Sequence, residues 1–192
     1  KVHYPDVMII LDAKRGDIGY TNEGYVTFAF DYLGADAITL HPYLGREAIK
    51  PFLDRKDKGC IILCRTSNPG AGELQDLVVD GKPLYQRVAE KVVKDWNYNG
   101  NCALVVGATY ADELAIVRRI VGDMPLLIPG VGAQGGDIEK IVKAGIDSTG
   151  KNAIINSSRG IIFASSGLDY AQAARAEAQK LRDQINLLRN SI

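Results

Sequence analysis

Asp12, Lys14, Arg15 and Asp17 stand in the stretch "LDAKRGDIG", residues 11–19, directly after an apolar run, Val7-Met8-Ile9-Ile10-Leu11. The run reads as a buried strand, which places the charges at its carboxyl end. Strand alternation puts Asp12 and Lys14 on one face, and Asp17 follows after Gly16 in the loop. A lysine flanked by carboxylates is favoured in its charged form and suits a general acid that delivers a proton to a carbanion. The same spacing also fits a structural ion pair at a rim. Charges gathered at the end of a buried strand are costly unless mutually paired, and their alternating order supplies the pairing.

Three further stretches carry groups with chemical use. "IPGVGAQGGDIEK", residues 128–140, follows one apolar run and precedes a helical pattern. Its glycines free backbone N–H groups for an anion, the following helix favours phosphate, and Gln134 is placed to close over a phosphate oxygen. A merely tight turn is the alternative. "INSSRGI", residues 155–161, brings Arg159 just past the next strand, where its fork of donors suits bidentate phosphate binding. "CRTSNPGAGE", residues 64–73, offers the hydroxyls of Thr66 and Ser67 and the amide of Asn68 to the edge of a heterocycle. The long connection from there to Pro83 is expected to be a lid or disordered, with "VVDGKPLY" forming a small hairpin that turns at Asp80-Gly81. His3 and His41 are the only histidines. His41 ends a strand and is expected near the mouth of the site, and neither histidine has metal-ligand spacing around it.

The elements that must position these groups alternate. Strands are expected at 7–13, 37–41, 59–65, 102–107, 125–129 and 153–156. Between them lie helical faces made by Val26, Ala29, Phe30 and Leu33, by Leu84, Val88, Val92 and Trp96 behind Pro83, and by Leu114, Val117, Ile120 and Val121. Ala174, Ala178, Leu181, Ile185 and Leu188 stripe the last helix. Near-continuous apolar strands alternating with helices indicate a parallel sheet covered by helices. Two architectures fit, an open doubly wound sheet or a (β/α)8 barrel lacking two of its eight units, since a full barrel takes about 250 residues. Either way, ligands bind at the carboxyl ends of the strands, where the four polar stretches fall.

The 192 residues suffice for one domain, expected to span 1–192 without a linker. Lys plus Arg and Asp plus Glu number 23 each, which offers no basic field for nucleic acid and no polybasic segment for a membrane surface. No apolar run reaches the length of a transmembrane helix. Cys60 and Cys64 lie in one strand, roughly 13 Å apart and too far for a disulfide. With Cys102 they read as core residues of a protein in the reducing cytoplasm. The chain starts at Lys1 with a strand almost at once, as though its beginning were missing.

Taken in order, "LDAKRGDIG", "RTSNPG", "PGVGAQGGD" and "SSRGI" resemble the orotidine 5′-monophosphate decarboxylases, in particular the bacterial form. The first motif alone is shared with related sugar-phosphate decarboxylases. The resemblance runs along essentially the whole chain. It implies a (β/α)8 barrel of the ribulose-phosphate-binding type with six strand–helix units visible here. It also implies a homodimer with active sites shared across its interface, and cofactor-free, metal-free conversion of orotidine monophosphate to UMP. By that resemblance Asp12 and Lys14 are the charged pair beside the scissile carboxylate, with Lys14 protonating C6. Asp17 reaches into the neighbouring subunit's site, with Ile18 and Thr21 alongside. Thr66 and Ser67 contact the base, Gln134 and Arg159 hold the phosphate, and Ser158 is a further substrate-binding residue. Members of the family carry two further strands ahead of the first motif, one with an aspartate for the ribose and one with a lysine that completes the charged network. Two other readings remain: a 3-keto-gulonate-phosphate-type decarboxylase, which needs magnesium, and a non-catalytic phosphate-binding fragment.

Overall fold

The computed structural model describes residues 3–131 and 137–191. The chain divides into two compact units, Lys1–Cys64 with Gly72–Val105, and Arg65–Ala71 with Val106–Ile192.

In the first unit the elements run β1 (Ile10–Arg15), α1 (Gly19–Val26), β2 (Ala37–Leu40), α2 (Gly45–Leu53), β3 (Gly59–Arg65), α3 (Gly72–Gln75), β4 (Val78–Val79), β5 (Lys82–Pro83), α4 (Leu84–Lys91) and β6 (Cys102–Val106). The long strands lie side by side in the order β1-β2-β3-β6. The β1–β2 and β2–β3 pairs are parallel. Every residue of β2 and β6 is buried, the pattern of strands covered on both faces. Against them α2 packs Ala48, Ile49, Phe52 and Leu53, and Phe30 meets Phe52 edge-on at 6.3 Å between ring centres. The helices α1 and α4 each pass into a wider π-helical turn, Thr27–Tyr32 and Val92–Trp96.

Three expectations are corrected here. The first strand starts at Ile10 rather than residue 7, and Val7, Met8 and Ile9 are exposed. The backbone joins its neighbour only from Ile9, whose carbonyl accepts from Asp36 and Ala37 N–H, whereas Val7 N–H closes a turn onto Tyr4. Hydrophobicity marked the run, but ladder hydrogen bonds set its limit. The buried face of the α4 segment is Tyr85, Ala89, Val92 and Trp96. Leu84 and Val88 are only half-buried. Leu33, expected on the face of Val26, Ala29 and Phe30, is exposed, because it caps the π-turn with its N–H on Phe28 O.

The connection from Asn68 to Pro83 is built, not loose. A 3-10 turn (Pro69–Ala71) leads into α3, and β4 pairs antiparallel with β5 in the register Val78↔Pro83 and Val79↔Lys82. Asp80 and Gly81 both have positive φ, 47° and 75°, which makes the expected two-residue hairpin a type I′ turn. Arg87 of α4 clasps it, with Nε on Val79 O at 3.0 Å and Nη2 on Asp80 O at 2.6 Å. Cys60, Cys64 and Cys102 are free and buried. Burial pushes the Cys60 thiol up, with Cys102 adding to it, and raises the Cys102 thiol to about 12.

The second unit contains α5 (Ala111–Val121), β7 (Leu126–Pro129), α6 (Ile138–Gly145), β8 (Ala153–Asn156), α7 (Arg159–Ile162) and α8 (Tyr170–Asn190). The strands β7 and β8 pair in parallel from Leu126↔Ala153 to Pro129↔Asn156. Asp137 caps α6 by accepting from the N–H of Glu139 and Lys140, which satisfies two of its orphan donors. The core face of α5 is Leu114, Val117 and Val121. The stripe expected on α8 is present but only half-buried, Ala174, Ala178, Leu181, Ile185 and Leu188 alike. Counted along the chain, β1, β2, β3, β6, β7 and β8 with their helices are six strand–helix units of the (β/α)8 barrel class.

Two charged residues fasten this unit. Arg118 reaches four carbonyls, Gly122, Met124, Gly145 and Asn152, at 2.6–3.0 Å. Asp147 accepts from Lys151 N–H, from Thr149 N–H and hydroxyl, and from the Asn152 amide at 2.6–2.9 Å. The Lys151 bond leads the others, outweighs the opposing effect of burial and holds the Asp147 carboxyl far below the usual carboxylate range. A depressed folded pKa stabilises the fold above the unfolded value, about 3.9, and that stabilisation drains as pH falls towards the folded pKa. Asp147→Asn is therefore expected to lower the thermal midpoint at pH 7. The gap to wild type should narrow between pH 4 and pH 3 in calorimetric scans. A gap independent of pH would mean that the charge of Asp147 is not what matters.

Candidate active site

At the carboxyl end of β1 the ladder with β2 breaks step. Leu11 pairs with Ile38 and Arg15 with Leu40, so four residues of β1 advance against two of β2. The excess is taken up by a bulge, and Lys14 adopts a positive φ of 48°. Thr39, fully buried, holds the distortion from beneath. Its Oγ1 accepts Lys14 N–H at 2.9 Å and its hydroxyl donates to Asp12 Oδ1 at 2.9 Å. Lys14 Nζ then donates to the same Asp12 Oδ1 at 2.6 Å. Partial burial alone would raise the Asp12 carboxyl, but the bonds from Lys14 and Thr39, with the Lys14 charge, outweigh it and hold the group below its ordinary range.

The magnitudes argue about purpose. The Lys14 and Asp12 side chains are 51% and 62% exposed, and an exposed pair of this kind contributes about 0–1 kcal/mol. A non-glycine residue at positive φ costs about 1–2 kcal/mol. The exposed ion pair by itself therefore does not offset the positive φ of Lys14, and the bulge is held by Thr39. Bulges that re-aim side chains cluster at functional sites.

Asp17 does not join the pair. Its Oδ1 accepts the N–H of Ile18 at 2.7 Å. Its backbone is gripped from both sides by Asn22, buried in α1: Asn22 Oδ1 accepts Asp17 N–H at 3.1 Å, while Nδ2 donates to Asp17 O and to Ala48 O, each at 2.6 Å. Asp17 and Ile18 are thereby presented outward, both exposed, with Thr21 half-buried one turn along. The imidazole of His41 covers Gly16: a Cβ at that glycine would meet ring atoms at 2.6–2.8 Å. The expectation of a buried, fully interpaired cluster is corrected accordingly. The charges sit where the strand leaves its neighbours, so among the described residues only Asp12 and Lys14 of this cluster pair, and both stay exposed.

In the second unit, Thr66 and Ser67 form a turn after β3, half-buried, with the Thr66 hydroxyl donating to Asn68 Oδ1 at 2.6 Å. Past β8, Ser158 donates to Asn156 Oδ1 at 3.1 Å, and Arg159 opens the short helix α7 with its side chain exposed. Gln134 lies outside the described residues. Among the described residues no three of His, Cys, Asp and Glu are grouped so as to hold a metal ion, and no helix is long and apolar enough to cross a membrane.

Thr39 and Asn22 are the residues that sequence reading missed. Thr39 sits mid-strand in an apolar run, and Asn22 within a helix, so neither advertises a polar role. A buried Asn in a helix that also needs its backbone bonds is the only trace, and only burial reveals it.

The whole arrangement has relatives. Residues 1–176 match the profile of the orotidine 5′-phosphate decarboxylase / HUMPS family. The chain belongs to that family. It is 58% identical over 183 residues to the orotidine 5′-phosphate decarboxylase of Janthinobacterium sp. (strain Marseille), covering 95% of this chain and 68% of that protein. It superposes on the UMP synthase of Leishmania donovani with a TM-score of 0.87 at 43% identity, over 95% of this chain and 40% of that one. The OMP decarboxylase of the same organism gives 0.84 at 40% identity, over 95% of this chain and 68% of that one. Family membership fixes the fold class: the six units are those of the family's (β/α)8 barrel, and the open doubly wound alternative is set aside.

Proposed function

We propose that the chain carries out the decarboxylation of orotidine 5′-monophosphate to UMP in pyrimidine biosynthesis. The observation that supports this most is the exposed Asp12–Lys14 pair, held on a bulged strand end by the buried Thr39. In this reading the bond from C6 to the carboxylate breaks, carbon dioxide leaves, and the electron pair stays on C6. The ammonium of Lys14 lies beside that carbanion and gives it a proton. The Asp12 carboxylate, kept ionised by Lys14 and Thr39, repels the substrate carboxylate and accepts hydrogen bonds from the lysine. Thr66 and Ser67 meet the base, Gln134 and Arg159 the phosphate, and Ser158 also serves substrate binding. No cofactor is assigned. Binding the phosphate away from the reacting carbon contributes to the barrier reduction by ordering the site.

The same reading makes the protein a homodimer in which Asp17, with Ile18 and Thr21, serves the partner's site. The outward presentation of Asp17 and Ile18 supports this, as do the exposed rings of Phe28 and Tyr32, stacked at 5.7 Å. Phe30, the third aromatic of that segment, belongs to the core. Three buried thiols suit the reducing cytoplasm, the compartment we assign.

The test is the loss of orotidine monophosphate followed spectroscopically in the protein that carries this chain, with and without a chelator. Chelator-insensitive turnover by a species that sediments as a dimer is expected. Loss of activity with the chelator would favour the magnesium-dependent sugar-phosphate decarboxylase. UMP binding with no turnover at any enzyme concentration would leave only phosphate recognition, and a sedimenting monomer would remove the shared site.

A further inference from the structure

Gly107 follows β6 and is buried, and space explains its identity. A Cβ there would stand 2.7 Å from the Cβ of Ser67, 3.1 Å from its N and 3.2 Å from its Cα. The first distance is one real Cβ atoms do not adopt. The other two involve backbone, which cannot swing aside as a side chain does. Glycine here allows two chain segments to approach closely. The approach is also fastened: Gly107 N–H donates to Arg65 O at 2.8 Å, and Tyr110 N–H to Gly107 O at 3.4 Å.

Below the turn lies a second anchor. Arg65 is 4% exposed, its guanidinium carbon sits 4.2 Å from the centre of the Tyr110 ring, and Nη1 reaches Thr66 O at 3.4 Å. One side of the turn is therefore tied to the segment 107–110 by a ladder bond and by a stacked cation. The other is limited by contact between Ser67 and the bare backbone of Gly107.

We propose that Gly107 is a positioning residue for the substrate: the missing side chain sets where Thr66 and Ser67 stand, and so controls recognition of the pyrimidine without touching it. This rests on the reading above that Thr66 and Ser67 contact the base. One added methyl displaces Ser67 by about 1 Å, a misplacement that can cost as much as about a hundredfold. The residues proposed above to meet the phosphate lie elsewhere in the sequence.

The experiment is Gly107→Ala in the protein that carries this chain, with UMP and ribose 5-phosphate affinities measured by calorimetric titration and kcat and KM measured on orotidine monophosphate. We expect UMP affinity to fall about tenfold or more while ribose 5-phosphate affinity stays within about twofold, and KM to rise by a larger factor than kcat falls. A purely structural lesion would weaken both ligands together. The double variant Gly107→Ala/Ser67→Gly removes the nearest clashing atom, so its loss of UMP affinity should be smaller than the sum of the two single losses. Wild-type UMP affinity in Gly107→Ala overturns this inference alone. Parallel loss of both ligands with an additive double variant also overturns it. A wild type that neither binds UMP nor turns over orotidine monophosphate overturns the decarboxylase reading and this inference with it.

Discussion

Lys14→Ala is expected to lower kcat on orotidine monophosphate by at least about a thousandfold, within the range that a positioned general acid supplies, while UMP affinity stays within about tenfold of wild type. The asymmetry follows from where the ammonium acts. The product carries no negative charge at C6, so the lysine has little to hold once the proton is delivered. In the transition state of the proposed reaction a carbanion forms beside it, and the interaction is strongest there. Asp12 stays in place in the variant, because Thr39 donates to the same Oδ1 at 2.9 Å. The loss therefore reports the proton donor and its charge, not collapse of the bulge. Lys14→Arg should recover little, since the planar guanidinium neither matches the position of the ammonium nor releases a proton readily. A Lys14→Ala protein retaining a tenth of the rate would remove Lys14 from the mechanism.

Arg159→Ala is expected to act through binding alone. Two charge-assisted hydrogen bonds to a phosphate contribute about 1.5 kcal/mol each at the lower end, and about 3 kcal/mol corresponds to roughly a hundredfold in affinity. KM for orotidine monophosphate should rise by about that factor. Orotidine, which has no phosphate, should react at similar rates with wild type and variant, because the lost contact has no counterpart in that substrate. The exposure of Arg159 at the start of α7 makes the substitution safe for the fold. A large loss on orotidine itself would mean that Arg159 serves the reacting end of the substrate and not its phosphate.

The order of motifs made the family legible in the sequence by itself, and apolar periodicity gave six strand–helix units with five of the strands bounded to within a residue at each end. Those features are local. A covered parallel strand is nearly continuously apolar, as β6 is throughout and β2 is apart from Thr39, and a type I′ turn must carry residues that tolerate positive φ, as Asp80-Gly81 does. Burial on the α4 segment was legible only approximately, because steps of four from Leu84 drift off the helical period, which the buried set Tyr85, Ala89, Val92 and Trp96 keeps. What the tertiary structure alone decided is how the charges of "LDAKRGDIG" are disposed. Alternation put Asp12 and Lys14 on one face, yet they meet through a bulge whose existence depends on Thr39, a residue 25 positions beyond Lys14. Asp17 is expected in the loop after Gly16, but the hold of Asn22 on its backbone is visible only in the structure. Hydrogen bonds between distant segments leave no periodic trace, so pairing of charges could be expected from their order but assigned only in three dimensions. The closeness of Gly107 to Ser67 is of the same kind, since a glycine required for space looks in sequence like any other glycine.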